Sequence, residues 1–385
     1  MMRVALNLLG YTPGRGGVET YLVNLFRALQ EVDTHNEYLV LCDPMAAAGF
    51  RSSLPNFKLQ LHAIEKPSLN WFLRGLGRHL GGFDLLTRHL QGLPVDVMHH
   101  PLTTLNPQGL PYPAVLTFHD MQHEFFPMLF STMELNRRHR EYRASVEQAQ
   151  AVIAISQHVK DSLVERYDAS AEKIHVVHHG CSSRFERIGD PERLAVVVEK
   201  YSLQRPFMIF PAATWAHKNH LLLLNAVYIM VQQSRFDGEL ILTGVPMDFH
   251  GQVLSEILRL GLERQVRWLG YVPDEDLPCM YSLARLMVFP SLFEGFGLPV
   301  IEAMGCGCPV AVARATALPE IAGEAAFYFD PYSAEDIAAT LLEVWGDEAQ
   351  RNHMAISGLQ RASDFSWYNA ARKTIDIYQR VYKGK

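Results

Sequence analysis

Short apolar runs recur along the whole chain and alternate with stretches whose apolar positions repeat at helical spacing. Runs at 4–9, 38–42, 59–64, 96–99, 114–118, 151–155 and 174–178 read as strands in the first half. Runs at 207–210, 239–243, 266–269, 286–289, 309–312 and 326–329 do so in the second. Helical patterns occupy 18–30, 132–148, 157–167, 219–232 and 334–345. The strand runs are apolar at nearly every position, which suits strands buried on both faces, so the alternation predicts doubly wound parallel α/β sheets. Gly180, Gly189 and Pro191 punctuate a stretch of mixed charge and divide the chain into a domain over 1–185 and a second over 186–365. A last amphipathic stretch at 367–382 has no strand after it, so a helix over 366–385 is expected to return to the first domain. Open sheets of this kind bind ligands at the carboxyl ends of their strands, which makes the loops after the strands the places to look for chemistry.

Composition narrows the picture. At 385 residues the chain suits two cores, and 48% hydrophobic with 20% charged residues is a soluble globular balance. A net charge of −6 excludes a broad basic footprint for nucleic acid. Cys42, Cys181, Cys279, Cys306 and Cys308 offer no zinc framework, and Cys306-Gly307-Cys308 reads as buried thiols ahead of a redox pair. Few, odd-numbered cysteines fit a reducing cytoplasm. The opening apolar stretch is short and runs straight into a glycine loop, unlike a secretory leader. No window approaches the ~20 apolar residues that span a bilayer.

Four loops carry candidate chemistry. The first, Gly10-Tyr11-Thr12-Pro13-Gly14-Arg15-Gly16-Gly17, follows the first strand and opens a helix, where glycine lets the backbone approach a ligand and the helix terminus favours anions. Gly14 and Gly16 fit a dinucleotide fingerprint, but Glu19 stands where its last glycine belongs, which weakens a dehydrogenase reading. The second, Thr117-Phe118-His119-Asp120, sets two polar side chains at a strand tip; His119 can donate to a sugar hydroxyl or the reacting centre, and Asp120 either contacts ligand or caps the next segment. His119 and His123 have a metal-ligand spacing if helical, yet Phe125, Phe126 and Pro127 argue for a loop, so no metal site is expected. The third, Ala216-His217-Lys218-Asn219, places a lysine at a helix start, unfavourable with the dipole unless an anion sits there too.

The fourth is Ser291-Leu292-Phe293-Glu294-Gly295-Phe296-Gly297-Leu298-Pro299-Val300-Ile301-Glu302. Pro299 suits the first turn of a helix, whose start offers N–H groups to a diphosphate, flanked by carboxylates that can accept hydroxyl hydrogen bonds. Such a ligand, phosphates between two polyols, is a sugar nucleotide. Two carboxylates also suggest glycoside hydrolysis, which needs them ~5–9.5 Å apart about one bond.

Glu294 and Glu302, with seven residues between, resemble the Glu-x7-Glu motif of glycosyltransferase family 4. Gly16-Gly17, His119-Asp120, Lys218-Asn219, Gly270-Tyr271-Val272-Pro273 and the tail from Pro309-Val310 to Leu318-Pro319-Glu320-Ile321 fall in that family's order. The resemblance implies a GT-B fold, two Rossmann-like domains facing across a cleft, and retaining, metal-independent sugar transfer without any cofactor beyond the nucleoside diphosphate sugar as co-substrate. It assigns Glu302 to the ribose, Glu294 to the donor sugar, Lys218 to the leaving diphosphate, and Phe296, Gly297 and Leu298 to the pocket. Gly16 and Gly17 would meet the phosphate, His119 the sugar's reacting face, and Asp120 the acceptor side.

Many members carry an arginine a few residues before the lysine, where this chain has Ala212 and Ala213; Arg15 or Arg314 is the expected substitute. Similarity to bacterial mannosyltransferases of group 1 points to mannose from a GDP- or UDP-linked donor and to a glycan or lipid-linked acceptor, as in polysaccharide biosynthesis. A sugar-nucleotide epimerase and a non-catalytic sugar-nucleotide binder are the competing readings. The stretch 66–90, with Trp71, Phe72, Leu73, Leu76, Leu80 and Phe83 among Arg74, Arg78 and Arg88, and the run Arg137-Arg138-His139-Arg140 are candidates for peripheral contact with the inner face of a membrane, or else ordinary solvated helix faces.

Overall fold

The computed structural model describes residues 1–14, 16–62 and 85–384, which fall into two compact units, Met1–Gly180 with Trp367–Lys385, and Cys181–Ser366. The first holds a seven-stranded sheet: β1 (Arg3–Asn7), β2 (Glu37–Cys42), β3 (Phe57–Leu61), β4 (Val97–His100), β5 (Ala114–Phe118), β6 (Ala151–Ala154) and β7 (Ile174–Val176). Every pairing is parallel, in the order β3-β2-β1-β4-β5-β6-β7. All residues of β4, β5 and β6 are buried, which is why these segments are apolar throughout instead of alternating. The order reverses between β1 and β4, so the loops after these strands open a crevice at their carboxyl ends.

The last helix, Trp367–Lys383, packs on this unit against the helix Gly17–Val32. Its buried positions Trp367, Ala370, Ala371, Thr374, Ile377 and Tyr378 recur every three or four residues, the stripe that made it legible as amphipathic.

The second unit repeats the plan with β8 (Phe207–Pro211), β9 (Glu239–Thr243), β10 (Val266–Gly270), β11 (Leu286–Phe289), β12 (Val310–Ala313) and β13 (Phe327–Phe329), all parallel, in the order β10-β9-β8-β11-β12-β13. Its switch point lies between β8 and β11, the two strands that lead into the Lys218 loop and the Glu294 loop. One apolar core joins the sheet to the helices His220–Gln232, Leu298–Gly305 and Ala334–Gly346. All five cysteines are free thiols, and Cys306 and Cys308 are buried, with burial pushing both pKa values well up, against a redox role.

One segment differs from expectation. Residues expected to form a loop after His119 make a one-turn helix, Gln122–Phe125, with the Asp120 carboxylate accepting from the Gln122 amide at 3.2 Å. The stretch 66–90 lies outside the described residues except for its end, where Arg88 falls in the helix Leu85–Gln91. The end of the third expected strand, at 63–64, is likewise outside them, as is Arg15.

Candidate active site

In the second unit, β8 runs into a single 3-10 turn, Ala216–Lys218, before the helix His220–Gln232. Asn219 joins the two with left-handed backbone (φ 66°), a conformation asparagine tolerates better than most residues. Its side-chain amide does not cap the helix. It donates to the Pro290 carbonyl (3.1 Å) and the Pro331 carbonyl (2.7 Å), fastening this loop to the exits of β11 and β13. The Leu292 amide donates to the His217 carbonyl (2.8 Å), a second strap between the β8 and β11 loops. Together these ties bring Lys218 to Glu294: Nζ donates to Oε1 at 2.5 Å, with both side chains largely buried and Nζ 5.4 Å above the Phe289 ring. The Glu294 amide donates to the Thr316 hydroxyl (3.0 Å), and Thr316 itself has φ 51°, a strained setting for a β-branched residue.

Gly297, at φ 103°, turns the chain into the helix Leu298–Gly305. That conformation requires glycine, and a Cβ there would also stand 2.8 Å from Leu318 Cδ2, which would have to shift. Pro299 occupies the first turn, and the Val300 amide is taken by the Gly297 carbonyl (3.0 Å), so not every early N–H remains for a ligand. Phe296 and Leu298 are buried beneath this corner, Phe296 edge-on to Phe365. Glu302 sits one turn in. Burial pushes its carboxyl up to about 7, with Arg184 opposing and Asp274 adding to the rise. Arg184 and Asp274 themselves pair at 2.9 Å. The two glutamates thus have separate surroundings, Glu294 with a lysine and Glu302 with a partly cancelled ion pair.

Ala212 and Ala213 lie where an arginine is common. Their backbone passes so close to Gly244 that a Cβ on Gly244 would meet the Ala212 carbonyl at 2.6 Å and the Ala213 amide at 2.8 Å. Arg314 lays its guanidinium over the Tyr328 ring at 4.7 Å.

In the first unit, a cavity of 410 Å³ opens at the switch point, lined by Asn7, Gly10, Thr103, His119, Asp120 and Tyr142 among others. His119 is buried, and burial holds its pKa below the ordinary value, against smaller upward pulls from its bond to Pro101 and from Asp120. Its Nε2 lies 2.8 Å from the Pro101 carbonyl, which can only accept. Nε2 therefore carries the proton in the neutral ring, leaving Nδ1 as an acceptor. His100, on the same wall, is held neutral by burial, down to about 3. Gly16 stands just before the helix Gly17–Val32 at φ 56°, and the Glu19 carboxylate accepts from the Gly14 amide (2.6 Å). Glu19, the residue that spoils the dinucleotide fingerprint, thus ties the glycine loop to its own helix.

The structure joins Lys218 with Glu294 in one unit and His119 with Asp120 in the other, and it sets Glu302 apart. Arg184, Asp274 and Thr316 had no sequence signal of their own, though Asp274 directly follows Gly270-Tyr271-Val272-Pro273 and Thr316 falls within the tail that begins at Pro309-Val310. His119 and His123 do not converge, because His123 turns to the Tyr167 hydroxyl (3.1 Å). His123, Glu124 and His139 do bring possible ligand atoms within 4.8 Å; burial above all, and then Arg138, lowers the His123 pKa, and the Arg138 charge opposes a cation there. The Arg137-Arg138 run is not bare charge either: both guanidinium groups pair with Glu134 at 2.7 Å, and Arg137 also with Glu141. No described helix is long and apolar enough to cross a membrane.

Two family models match the chain, Glycosyltransferase Family 4 over residues 15–184 and Glycosyl transferases group 1 over residues 198–361. O-antigen chain mannosyltransferase B of Escherichia coli is 33% identical over 69% of this chain and 70% of its own length. The serotype-specific mannosyltransferase WbdA of the same species is 30% identical over 71% of this chain, a match that spans only 34% of WbdA. Among solved structures, Anabaena Alr3699/HepE in complex with UDP and glucose aligns with a TM-score of 0.75 at 19% identity, over 98% of this chain and 99% of that one. The fold held in common is GT-B.

Proposed function

The chain belongs to the group 1 glycosyl transferases of glycosyltransferase family 4, and from that premise we propose that it moves a hexose, mannose by preference, from a GDP- or UDP-linked donor to a hydroxyl of a glycan or lipid-linked acceptor, with retention of anomeric configuration. The observation that carries this reading is the Lys218–Glu294 pair held at the switch point beside the start of the helix Leu298–Gly305. An unliganded lysine parked on a carboxylate is a cation in store. When the diphosphate arrives, Lys218 turns its charge to the phosphate oxygens and Glu294 is released to accept from the sugar's hydroxyls. Glu302, once ionised, accepts from the ribose diol. Phe296, Gly297 and Leu298 shape the pocket.

The acceptor lies in the first unit's cavity with Asp120 on its wall, and the Nδ1 of His119 accepts from a hydroxyl of the reacting sugar. In the transfer the bond from the anomeric carbon to the diphosphate oxygen breaks, the acceptor oxygen bonds to the same face, and its proton passes to the departing phosphate oxygen. Lys218 and the helix start stabilise the charge that develops on the diphosphate, so no metal or other cofactor enters the scheme. We place the enzyme in the cytoplasm, peripheral to the inner face of a membrane where the acceptor is lipid-linked; five free thiols agree with a reducing compartment. A panel of nucleoside diphosphate sugars scored by thermal shift and diphosphate release tests the reading. A donor at a hundred times its dissociation constant should stabilise by about 2.7 kcal/mol. Stabilisation without acceptor-dependent diphosphate release would favour a binder, and conversion of donor alone an epimerase.

A further inference from the structure

Beneath His119 runs a chain of buried hydrogen bonds that the transfer reaction does not by itself require. The Tyr378 hydroxyl, on the last helix, meets His99 Nδ1 at 2.7 Å; His99 Nε2 meets the Thr117 hydroxyl at 2.8 Å; and that hydroxyl meets the Tyr21 hydroxyl at 2.8 Å. Every member is buried. Burial also holds His99 neutral, so one of its nitrogens donates and the other accepts, and hydroxyls on both sides can match either tautomer. A buried polar chain satisfied at each link is rigid, because each group has only costly alternatives.

Its placement matters more than its length. His99 lies on β4 two residues before Pro101, and Thr117 lies on β5 two residues before His119. The His99–Thr117 bond is therefore a lower rung across the same two strand exits that the His119–Pro101 bond closes above, both at 2.8 Å. Tyr21, on the helix that opens at Gly17, presents its ring edge-on to the His119 ring at 5.0 Å, while its other contacts stack it on His179 (4.9 Å), which in turn stacks on Trp367 (5.4 Å), the first residue of the last helix.

We propose that Tyr378, His99, Thr117 and Tyr21 form a positioning device for His119, through which the last helix of the chain sets the rate of sugar transfer without touching substrate. The proposal rests on the reading of His119 as a contact to the reacting sugar. The groups act through His119: they fix where its ring stands and keep Nε2 on Pro101, so that Nδ1 faces the cavity.

The test is kinetic, on the full chain with donor and acceptor. Thr117→Val removes the central hydroxyl at nearly constant shape, Thr117→Ser keeps it, and Tyr378→Phe breaks the chain at its far end, clear of the cavity lining. A misplaced catalytic group loses rate more than binding, so kcat should fall about 10-fold in Thr117→Val and Tyr378→Phe, with the donor KM within about twofold and Thr117→Ser close to wild type. Nitrogen-15 spectra of the His119 ring should show the Nε2-protonated tautomer in wild type and Thr117→Ser, and a mixture in Thr117→Val. Unchanged kcat and an unchanged His119 tautomer in folded Thr117→Val or Tyr378→Phe would overturn the proposal. Should either variant fail to fold, Tyr21→Phe, which keeps the ring, decides in the same way. His119→Ala separates the two ideas: wild-type turnover in that variant would sink the reading of His119 itself, whereas lowered turnover there beside unaffected Thr117→Val and Tyr378→Phe sinks only the positioning chain.

Discussion

The two units share one strand order up to an extra edge strand, and each opens a crevice at its switch point, yet they furnish those crevices differently. The second unit works with charge: Lys218 on Glu294, Arg184 on Asp274, and a carboxyl at Glu302 that burial makes reluctant to ionise. The first lines its cavity with Asp120 and with Arg137 and Arg138, both already paired to Glu134, but the groups at its strand exits are neutral: His99, His100 and His119 are kept uncharged by burial and fastened through hydroxyls, carbonyls and amides. Fixed charge suits a ligand that carries charge into the site and gathers more as it leaves. Neutral donors and acceptors suit hydroxyls, which a strong field would bind without orienting. Topology supplies two equivalent crevices, and side-chain chemistry divides the labour between them.

The largest expected effect breaks the charged half. Lys218→Ala and Glu294→Ala should each lower turnover at least ~100-fold, measured as diphosphate release, because each removes a preorganised electrostatic group. Near-normal turnover in either would end its assigned role. His119→Ala, in the neutral half, removes one hydrogen bond and should cost about 10- to 100-fold in kcat/KM.

Glu302 sharpens the comparison through pH. With its carboxyl raised from 4.5 to about 7, the folded chain holds a proton there that the unfolded chain has released between those values. Its contribution to stability therefore declines as pH rises from about 4.5 to 7, by about 1–3 kcal/mol, and Glu302→Gln should remove that decline in melting curves at pH 5 and 8. Ribose hydroxyls favour the ionised form, so donor affinity in wild type should strengthen from pH 6 to pH 8 and lose that dependence in Glu302→Gln. A flat wild-type titration would contradict both.

Smaller effects concern the frame. Gly297→Ala forces an alanine to φ 103° against Leu318 and should destabilise by about 1–3 kcal/mol, read from denaturant midpoints. Arg259→Ala, which breaks an exposed ion pair with Glu256 away from either crevice, should change stability by less than about 0.5 kcal/mol.

Strands and most long helices were legible because burial on both sheet faces writes unbroken apolar runs, and packing on one face writes the stripe of the last helix. The loops were legible where backbone geometry demands a residue type, as at Gly297 and Pro299. The partners of those loops were not. Asn219 reaches to Pro290 and Pro331, and Thr316 holds Glu294 from a strand exit twenty-two residues away in sequence. Such contacts depend on which strands become neighbours, which local pattern does not record. The same is true of Tyr378 and His99, 279 residues apart and hydrogen-bonded. At Arg137-Arg138 the pairing was there to be read from spacing, since Glu134 and Glu141 stand three or four residues from Arg137 on one helix face.

The division of labour is tested most directly by a crystal structure with an intact nucleoside diphosphate hexose. The account predicts the diphosphate within hydrogen-bonding distance of Lys218 Nζ at the start of the helix Leu298–Gly305, with Glu302 on the ribose and Glu294 turned to the hexose. A nucleotide bound wholly within the first unit's cavity, with the Lys218–Glu294 pair undisturbed, would contradict it.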